Sequence, residues 1–258
     1  MHEEPAVDIP AMLVRALRDA KHVAVLTGAG VSAESGVPTF RDPLTGLWAK
    51  YRPEDLATPE AFARDPRLVW EWYEWRRGLV AGARPNPGHL ALAEMERRIP
   101  RLTLLTQNVD GLHQRAGSQS VVELHGNITR SKCFDREHPV ESWPESDDVP
   151  PRCPQCGSFL RPDVVWFGEP LPASALAAAR DAIESCDLFF AIGTSGMVQP
   201  AASFTHRAQA RGATVAIINP DVSNFASRSQ VLVQGPSGRV LPALLEKAWP
   251  ASGTTHVE

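Results

Sequence analysis

Apolar positions along the chain follow two periods that take turns. Ile9, Leu13, Ala16, Leu17 and Ala20 recur at helical spacing and predict an amphipathic helix over 9–20. The unbroken apolar run 23–26 that follows predicts a short buried strand. The same succession returns along the chain: a helix over 88–98 before a strand over 102–106, a short strand over 121–124, a helix over 172–185 before a strand over 188–192, a helix over 200–211 before a strand over 214–218, and a last strand over 231–233 before a helix over 241–248. Apolar, β-branched strands alternating with helices predict an α/β fold with a mostly parallel sheet covered on both faces. Two stretches interrupt the alternation. Residues 42–82 hold no strand-like run and predict two helices, over 59–63 and 66–80. Residues 127–163 are rich in proline, cysteine and charge, with five prolines from Pro139 to Pro154, which argues against a continuous helix or a central strand. The expected organisation is a large sheet domain from residues 1–41, 83–126 and 164–258, and a small domain from the two insertions, 42–82 and 127–163.

Composition narrows the function classes. At 258 residues, 43% hydrophobic and 22% charged, the chain can bury a full core. A net charge of -4 and a pI near 6.1 give no electrostatic footprint for nucleic acid or an anionic membrane. No apolar stretch reaches the ~18 residues of a membrane span, and Met1-His2-Glu3-Glu4-Pro5 lacks the basic start and apolar core of a signal peptide, so a cytoplasmic protein is expected. Of four cysteines, two form Cys153-Pro154-Gln155-Cys156, a spacing that suits metal ligands in a reducing compartment.

The candidate chemistry gathers where predicted strands end. Gly28-Ala29-Gly30 follows the first strand, Gln107-Asn108-Val109-Asp110-Gly111-Leu112-His113 the second, Gly193-Thr194-Ser195 the strand over 188–192, and Asn219-Pro220 the strand over 214–218. Open α/β sheets bind ligands at such ends, and a glycine loop lets backbone N–H groups approach a pyrophosphate. The spacing is not GxGxxG, so a tight structural turn is the alternative. His125, between the strand over 121–124 and Gly126, is placed to face a cleft; a hydrogen-bonded structural histidine is the alternative. Its reference pKa of about 6.5 suits proton transfer near neutrality. Tyr73 and Arg76 share one face of a helix. The alternative there is a packed aromatic helix, with Trp70, Trp72 and Trp75 nearby and Arg76 solvated.

Taken together, Thr27-Gly28-Ala29-Gly30-Val31-Ser32-Ala33-Glu34-Ser35-Gly36-Val37-Pro38-Thr39-Phe40-Arg41, Gln107 to His113, and Glu123-Leu124-His125-Gly126 resemble the sirtuins, the NAD-dependent protein-lysine deacylases, over about residues 17 to 245. The resemblance implies a Rossmann-like NAD-binding domain with a smaller domain, and NAD as a consumed co-substrate. It implies that the acyl oxygen attacks the anomeric carbon of NAD, nicotinamide leaves, His125 activates a ribose hydroxyl, and water completes release of lysine and O-acyl-ADP-ribose. Asn108 joins His125 as a catalytic residue, and Asn108 and Asp110 position the carboxamide and a water. Gln107 contacts the nicotinamide ribose, Phe40 and Arg41 shield that ribose and hold phosphate, and Gly28, Ala29, Gly30, Gly193, Thr194, Ser195 and Asn219 bind the phosphates and adenosine. Glu34 is either part of this site or a helix cap. Val165, Trp166, Phe167 and Gly168 match the segment that pairs with the substrate peptide as a strand. Asp55-Leu56-Ala57-Thr58-Pro59 followed by Tyr73-x-x-Arg76 resembles the desuccinylase and demalonylase subclass, in which Tyr and Arg bind the distal carboxylate and the small Ala57 leaves room. The expected partners are acyl-lysine proteins or peptides. A protein ADP-ribosyltransferase or NAD hydrolase on the same scaffold is the nearest rival, and a noncatalytic NAD sensor the other class.

The cysteine module departs from the family pattern of two Cys-x-x-Cys pairs. The second pair is Cys153 and Cys156, but the first reads Cys133-Phe134-Asp135-Arg136, and an arginine cannot ligate. Cys133, Cys153 and Cys156 therefore lack a fourth ligand. His138, Asp135 or water as that ligand, a metal-free module, and a Cys153–Cys156 disulfide all stay open, and substoichiometric or easily chelated zinc is expected. Cys186 is expected to be inert core.

Overall fold

The computed structural model describes residues 7–38, 49–222 and 230–250. Helix α1 (Ala11–Asp19) buries Leu13 and Leu17 and leads into strand β1 (His22–Thr27), buried at each position. A short helix, α2 (Gly30–Ala33), follows the glycine loop. The first insertion forms α3 (Pro53–Leu56), α4 (Pro59–Arg64) and α5 (Pro66–Gly82). Thr58-Pro59 and Asp65-Pro66 start the last two: each polar side chain accepts a backbone N–H of the first turn and each proline occupies a position whose N–H needs no partner. Helix α6 (Pro87–Arg98), β2 (Arg101–Thr106), α7 (Leu112–Arg115) and β3 (Val121–Glu123) continue the large unit. The second insertion holds β4 (Gly126–Cys133), β5 (Pro139–Val140) and β6 (Leu160–Val164). Then come α8 (Ala173–Ser185), β7 (Leu188–Ile192), a 3-10 turn (Ala201–Ser203), α9 (Phe204–Ala210), β8 (Thr214–Asn219), β9 (Val231–Gln234) and α10 (Ser237–Ala248).

Six strands form one sheet in the order β3-β2-β1-β7-β8-β9, with each adjacent pair parallel. Successive strand residues serve opposite layers. Val23 and Val25 join Leu13, Leu92 and Leu244 in one core, whereas Ala24 and Leu26 join Ala179, Ile183 and Phe204 in the other. This two-sided demand explains the unbroken apolar runs, and the fold is α/β and Rossmann-like as expected. The strand order turns back between β1 and β7, so their C-terminal loops part and leave a crevice.

The second insertion holds more order than its prolines suggest. Strands β5, β4 and β6 form an antiparallel sheet with β4 in its centre, a correction to the expectation of no central strand there. The eight residues of β4 contain no proline, and Pro162 sits on β6, an edge strand that tolerates the missing donor. The helical insertion packs on this sheet through Phe62, Trp72, Tyr73, Ile128, Val164 and Trp166.

Candidate active site

The C-terminal ends of β1, β2, β7 and β8 open onto a cleft of about 430 Å³, closed on the far side by the helical insertion and the turn after β6. Gly28, Ala29, Gly30, Gln107, Asn108, His125, Gly193, Thr194, Ser195 and Asn219 all line it, as do Ala57, Tyr73, Arg76 and Val165 to Gly168. Two of the glycines have a reason that the motif alone does not reveal. A Cβ on Gly30 would lie 2.8 Å from the Gly193 carbonyl oxygen, and Gly193, at φ +59°, would put its own Cβ 2.5 Å from the Val31 nitrogen. They are glycines because two loops touch at the switch point. Asn219 Nδ2 donates to the Thr194 carbonyl (2.9 Å) and Gln107 Nε2 to the Thr194 hydroxyl (3.1 Å), which ties together the loops after β2, β7 and β8.

His125 is half-buried and its Nδ1 lies 3.0 Å from the Gln107 carbonyl oxygen. A carbonyl only accepts, so Nδ1 carries the hydrogen and Nε2 keeps its lone pair. Burial lowers the imidazole pKa below 6.5, against the pull of that carbonyl, so the ring is neutral at pH 7.

A buried polar network backs this wall. Ser32 donates to Asp110 Oδ2 at 2.7 Å and accepts from Asn108 Nδ2 at 3.1 Å, and Asp110 Oδ1 accepts the Leu112 N–H. His89 Nε2 lies 3.4 Å from the same Ser32 oxygen. His113, Thr27 and Thr106 form a second chain that ends on the Asn108 N–H. Burial pushes His89 down to about 4 and His113 to about 3, so both are neutral spacers. Ser32 and His89 were not singled out from sequence. Ser32 stands inside the glycine-loop motif, whereas His89 reads only as the third residue after the Asn86 cap, with which it forms a capping box.

At the other end, Ala57 is buried and its carbonyl accepts the Phe167 N–H. Tyr73 is 2% exposed and Arg76 9%, with the Arg76 guanidinium 5.1 Å from the Trp72 ring centroid. Arg76 is thus not the solvated charge of the alternative reading. Burial raises the Tyr73 phenol to about 12 and lowers Arg76. Beyond Val164 the chain leaves strand geometry: the N–H groups of Val165, Trp166 and Phe167 are bound by His125, Glu169 and Ala57, and 167–168 is a turn.

One expected contact lies elsewhere. Glu34 accepts the Gly238 N–H at 2.8 Å and the Ser237 hydroxyl at 3.2 Å, so it caps α10 and is not part of the cleft lining. Phe40 and Arg41 fall outside the described residues.

In the second insertion, Cys133 Sγ, His138 and Cys153 Sγ bring ligand atoms within 4.8 Å of one another, and Cys156 Sγ is 3.4 Å from Cys133 Sγ. Cys153 Sγ is 3.4 Å from His138 Nε2. Tetrahedral zinc with bonds of about 2.0 to 2.3 Å needs ligand separations of about 3.3 to 3.8 Å. Those two 3.4 Å separations fit that requirement, and the cluster of Cys133, His138 and Cys153 makes His138 the candidate for the ligand position that Arg136 cannot fill. The four described cysteines are free thiols, so no Cys153–Cys156 disulfide is formed. Desolvation raises the Cys153 thiol, but N–H groups of Gln155 and Cys156 and its contacts with Cys156 and His138 outweigh this and bring it to about 7. Cys186, buried and raised to about 11, stays a neutral core thiol.

The Sir2 family model matches residues 28–200. An NAD-dependent protein deacylase of Methylococcus capsulatus is 51% identical over 91% of this chain and 95% of its own. NAD-dependent protein deacylase 2 of Pyrobaculum aerophilum is 52% identical over 90% and 92%. Among solved structures, a Sir2 homologue in complex with NAD matches with a TM-score of 0.84 at 44% identity, covering 96% of each chain. A Sir2–p53 peptide–NAD+ complex matches at 0.79 and 28% identity, over 92% of this chain and 97% of that one. With half of its residues identical to such relatives along nine-tenths of its length, the chain belongs to the Sir2 family.

Proposed function

We propose that this Sir2-family NAD-dependent protein deacylase acts on acyl-lysines in proteins and favours acyl groups that end in a carboxylate, succinyl and malonyl ahead of acetyl. The observation that carries the preference is Arg76, a guanidinium 9% exposed on the cleft wall beside the Tyr73 hydroxyl. A guanidinium on a cleft wall offers a carboxylate charge-assisted, bidentate hydrogen bonds that a methyl-ended acyl group cannot use. NAD supplies the anomeric carbon that the acyl oxygen attacks, with nicotinamide as leaving group. The loops of Gly28 to Gly30, Gly193 to Ser195 and Asn219 hold its phosphates and adenosine, Gln107 its nearer ribose, and Asn108 with Asp110 the carboxamide. His125 Nε2 takes the ribose hydroxyl proton. The peptide lies along the turn of Val165 to Gly168, with the acyl chain passing Ala57 toward Tyr73 and Arg76. Cys133, His138, Cys153 and Cys156 would hold a structural zinc that fastens the small sheet.

On this proposal the NAD-binding domain comprises residues 1–41, 83–126 and 164–258, and the small domain 42–82 and 127–163. No helix among the described residues is long and apolar enough to cross a membrane, in keeping with a cytoplasmic enzyme.

The test is mass spectrometry of succinyl-, malonyl- and acetyl-lysine peptides incubated with NAD. Free lysine should appear in equal amount to nicotinamide, and the acidic acyl peptides should show kcat/KM about 10- to 100-fold higher than acetyl. Acetyl-lysine cleaved at least as efficiently would overturn the preference. ADP-ribosylated protein without lysine release would make the chain a transferase.

A further inference from the structure

Tyr73 does not stand alone in the cleft wall. Its hydroxyl oxygen is 3.0 Å from indole Nε1 of Trp166, and both side chains are 2% exposed. An indole N–H can only donate. The phenol oxygen is therefore the acceptor in this contact, and its own hydrogen is left for a second partner. With the phenol pKa raised by burial to about 12, that hydrogen stays in place throughout the neutral range.

Trp166 is itself held at a fixed angle. The Arg161 guanidinium carbon lies 3.3 Å from the centroid of its ring, and Arg161 is 1% exposed. Arg161 in turn donates to Glu169 Oε2 and to the Val164 carbonyl, both at 2.9 Å. Glu169 Oε2 also accepts the Trp166 backbone N–H at 2.8 Å, so one carboxylate holds both the stacking cation and the backbone of the stacked ring. Phe62 supports the indole with its ring centroid 5.3 Å away. Turning the indole would break the Tyr73 hydrogen bond and the cation stack together.

We propose that Trp166 determines acyl specificity by fixing the polarity of Tyr73, and that Arg161 and Glu169 are the residues that position it. The proposal rests on the carboxylate preference argued above. A carboxylate accepts only, so it needs a wall that donates. Trp166 occupies the acceptor side of the phenol and commits its hydrogen to the acyl group. An acetyl group ends in a methyl and has no use for that hydrogen. Without the indole N–H, the phenol is free to rotate and the donor is no longer pre-aimed at the carboxylate.

The experiment compares wild type with Trp166→Phe, Tyr73→Phe and the double variant. In each sample kcat/KM is measured for succinyl-lysine and acetyl-lysine peptides, and the ratio of the two is the readout. Any unfolded fraction cancels in that ratio, so imperfect folding of Trp166→Phe does not obscure the answer. The ratio should fall by about 3- to 10-fold in Trp166→Phe, mostly through KM of the succinyl peptide. Tyr73→Phe should lower it at least as much, and the double variant should go no lower than Tyr73→Phe, because the two residues act as one unit. If Tyr73→Phe lowers the ratio while Trp166→Phe lowers both substrates equally, the indole is packing and the proposal fails alone. Additive losses in the double variant would also sink it. An unchanged ratio in Tyr73→Phe would remove the carboxylate preference itself, and this inference with it.

Discussion

Replacing Arg76 by Met should reverse the order of substrates. Methionine keeps the length and flexibility of the stem, favours a helix, and removes the charge from α5 without opening a large cavity. The site around it is 9% exposed Arg76, 2% exposed Tyr73 and buried Ala57, so a carboxylate arriving there has little water left to it. On the proposed reading, charge-assisted hydrogen bonds from Arg76 would contribute about 1.5 to 3 kcal/mol, partly offset by desolvation of the carboxylate. In Arg76→Met the same carboxylate is buried with the Tyr73 hydroxyl alone. Truncating one partner of a buried charge pair costs about 2 to 5 kcal/mol, equivalent to a loss of roughly 30- to 5000-fold in succinyl kcat/KM. Acetyl-lysine meets an apolar wall instead of a cation and should change within about threefold. Methionine keeps an unbranched stem along α5, so the helix packing should survive, and a thermal melt of the variant checks this. Wild type and variant would each receive NAD and an equimolar mixture of both peptides, and mass spectrometry would follow the two products in one tube. If Arg76→Met keeps the wild-type preference for succinyl-lysine, the carboxylate is read by another group and the assignment of Arg76 is wrong.

His125→Ala should lower turnover by about 10² to 10⁴ while calorimetric NAD binding is retained, since the base acts once the co-substrate is seated; a variant keeping more than half its activity would remove His125 from the chemistry. Because burial lowers the His125 pKa, the base stays neutral to lower pH than a free imidazole: wild-type kcat/KM should lose activity only as pH falls below 6.5, and an acid limb centred above that value would contradict the buried geometry. Because His138 lies with Cys133 and Cys153, the expectation of substoichiometric zinc is revised: metal analysis should find one zinc per chain, and His138→Ala should release it at a chelator concentration that leaves wild type loaded; substoichiometric zinc in wild type would show that His138 is not the fourth ligand.

Much of the fold could be read from the chain because the sheet makes a simple demand. Val23 to Leu26 serve two cores at once, so they read as an unbroken apolar run, and the same logic places β2, β7 and β8. The small sheet was not legible. Strand β4 is partly exposed, with Thr129 and Arg130 facing solvent, and its partner β6 lies beyond a long irregular connection, so neither period nor spacing announces the pairing. His138 was ambiguous for a similar reason. Its distance from Cys153 is set by the fold of the connection between β5 and β6, whereas Cys153 and Cys156 advertise themselves by local spacing. Glu34 belongs to the glycine-loop motif in sequence yet caps α10, a contact 204 residues away that no local pattern encodes.

The two insertions do more than enclose the cleft, because a single helix connects what they carry. On α5, Trp70 packs among Cys133, Cys153, Val140 and Leu160, Tyr73 and Arg76 line the cleft, and Arg77 Nε donates to the Ile128 carbonyl of β4 at 2.6 Å. Arg77 also reaches the Arg130 carbonyl and the Ser131 hydroxyl, each at 3.0 Å. Helix and small sheet are thereby bound to each other at several points along their length. The sheet in turn starts at Gly126, directly after His125, and returns through β6 to Val164, two residues before Trp166. His125 and Trp166 therefore both adjoin the same end of one antiparallel pair of strands, where Gly126 faces Val164. On the proposed function, that pairing would set the span an acyl-lysine bridges between His125 and Arg76, and unfolding of the cysteine module would be expected to disturb the cleft through the same strands.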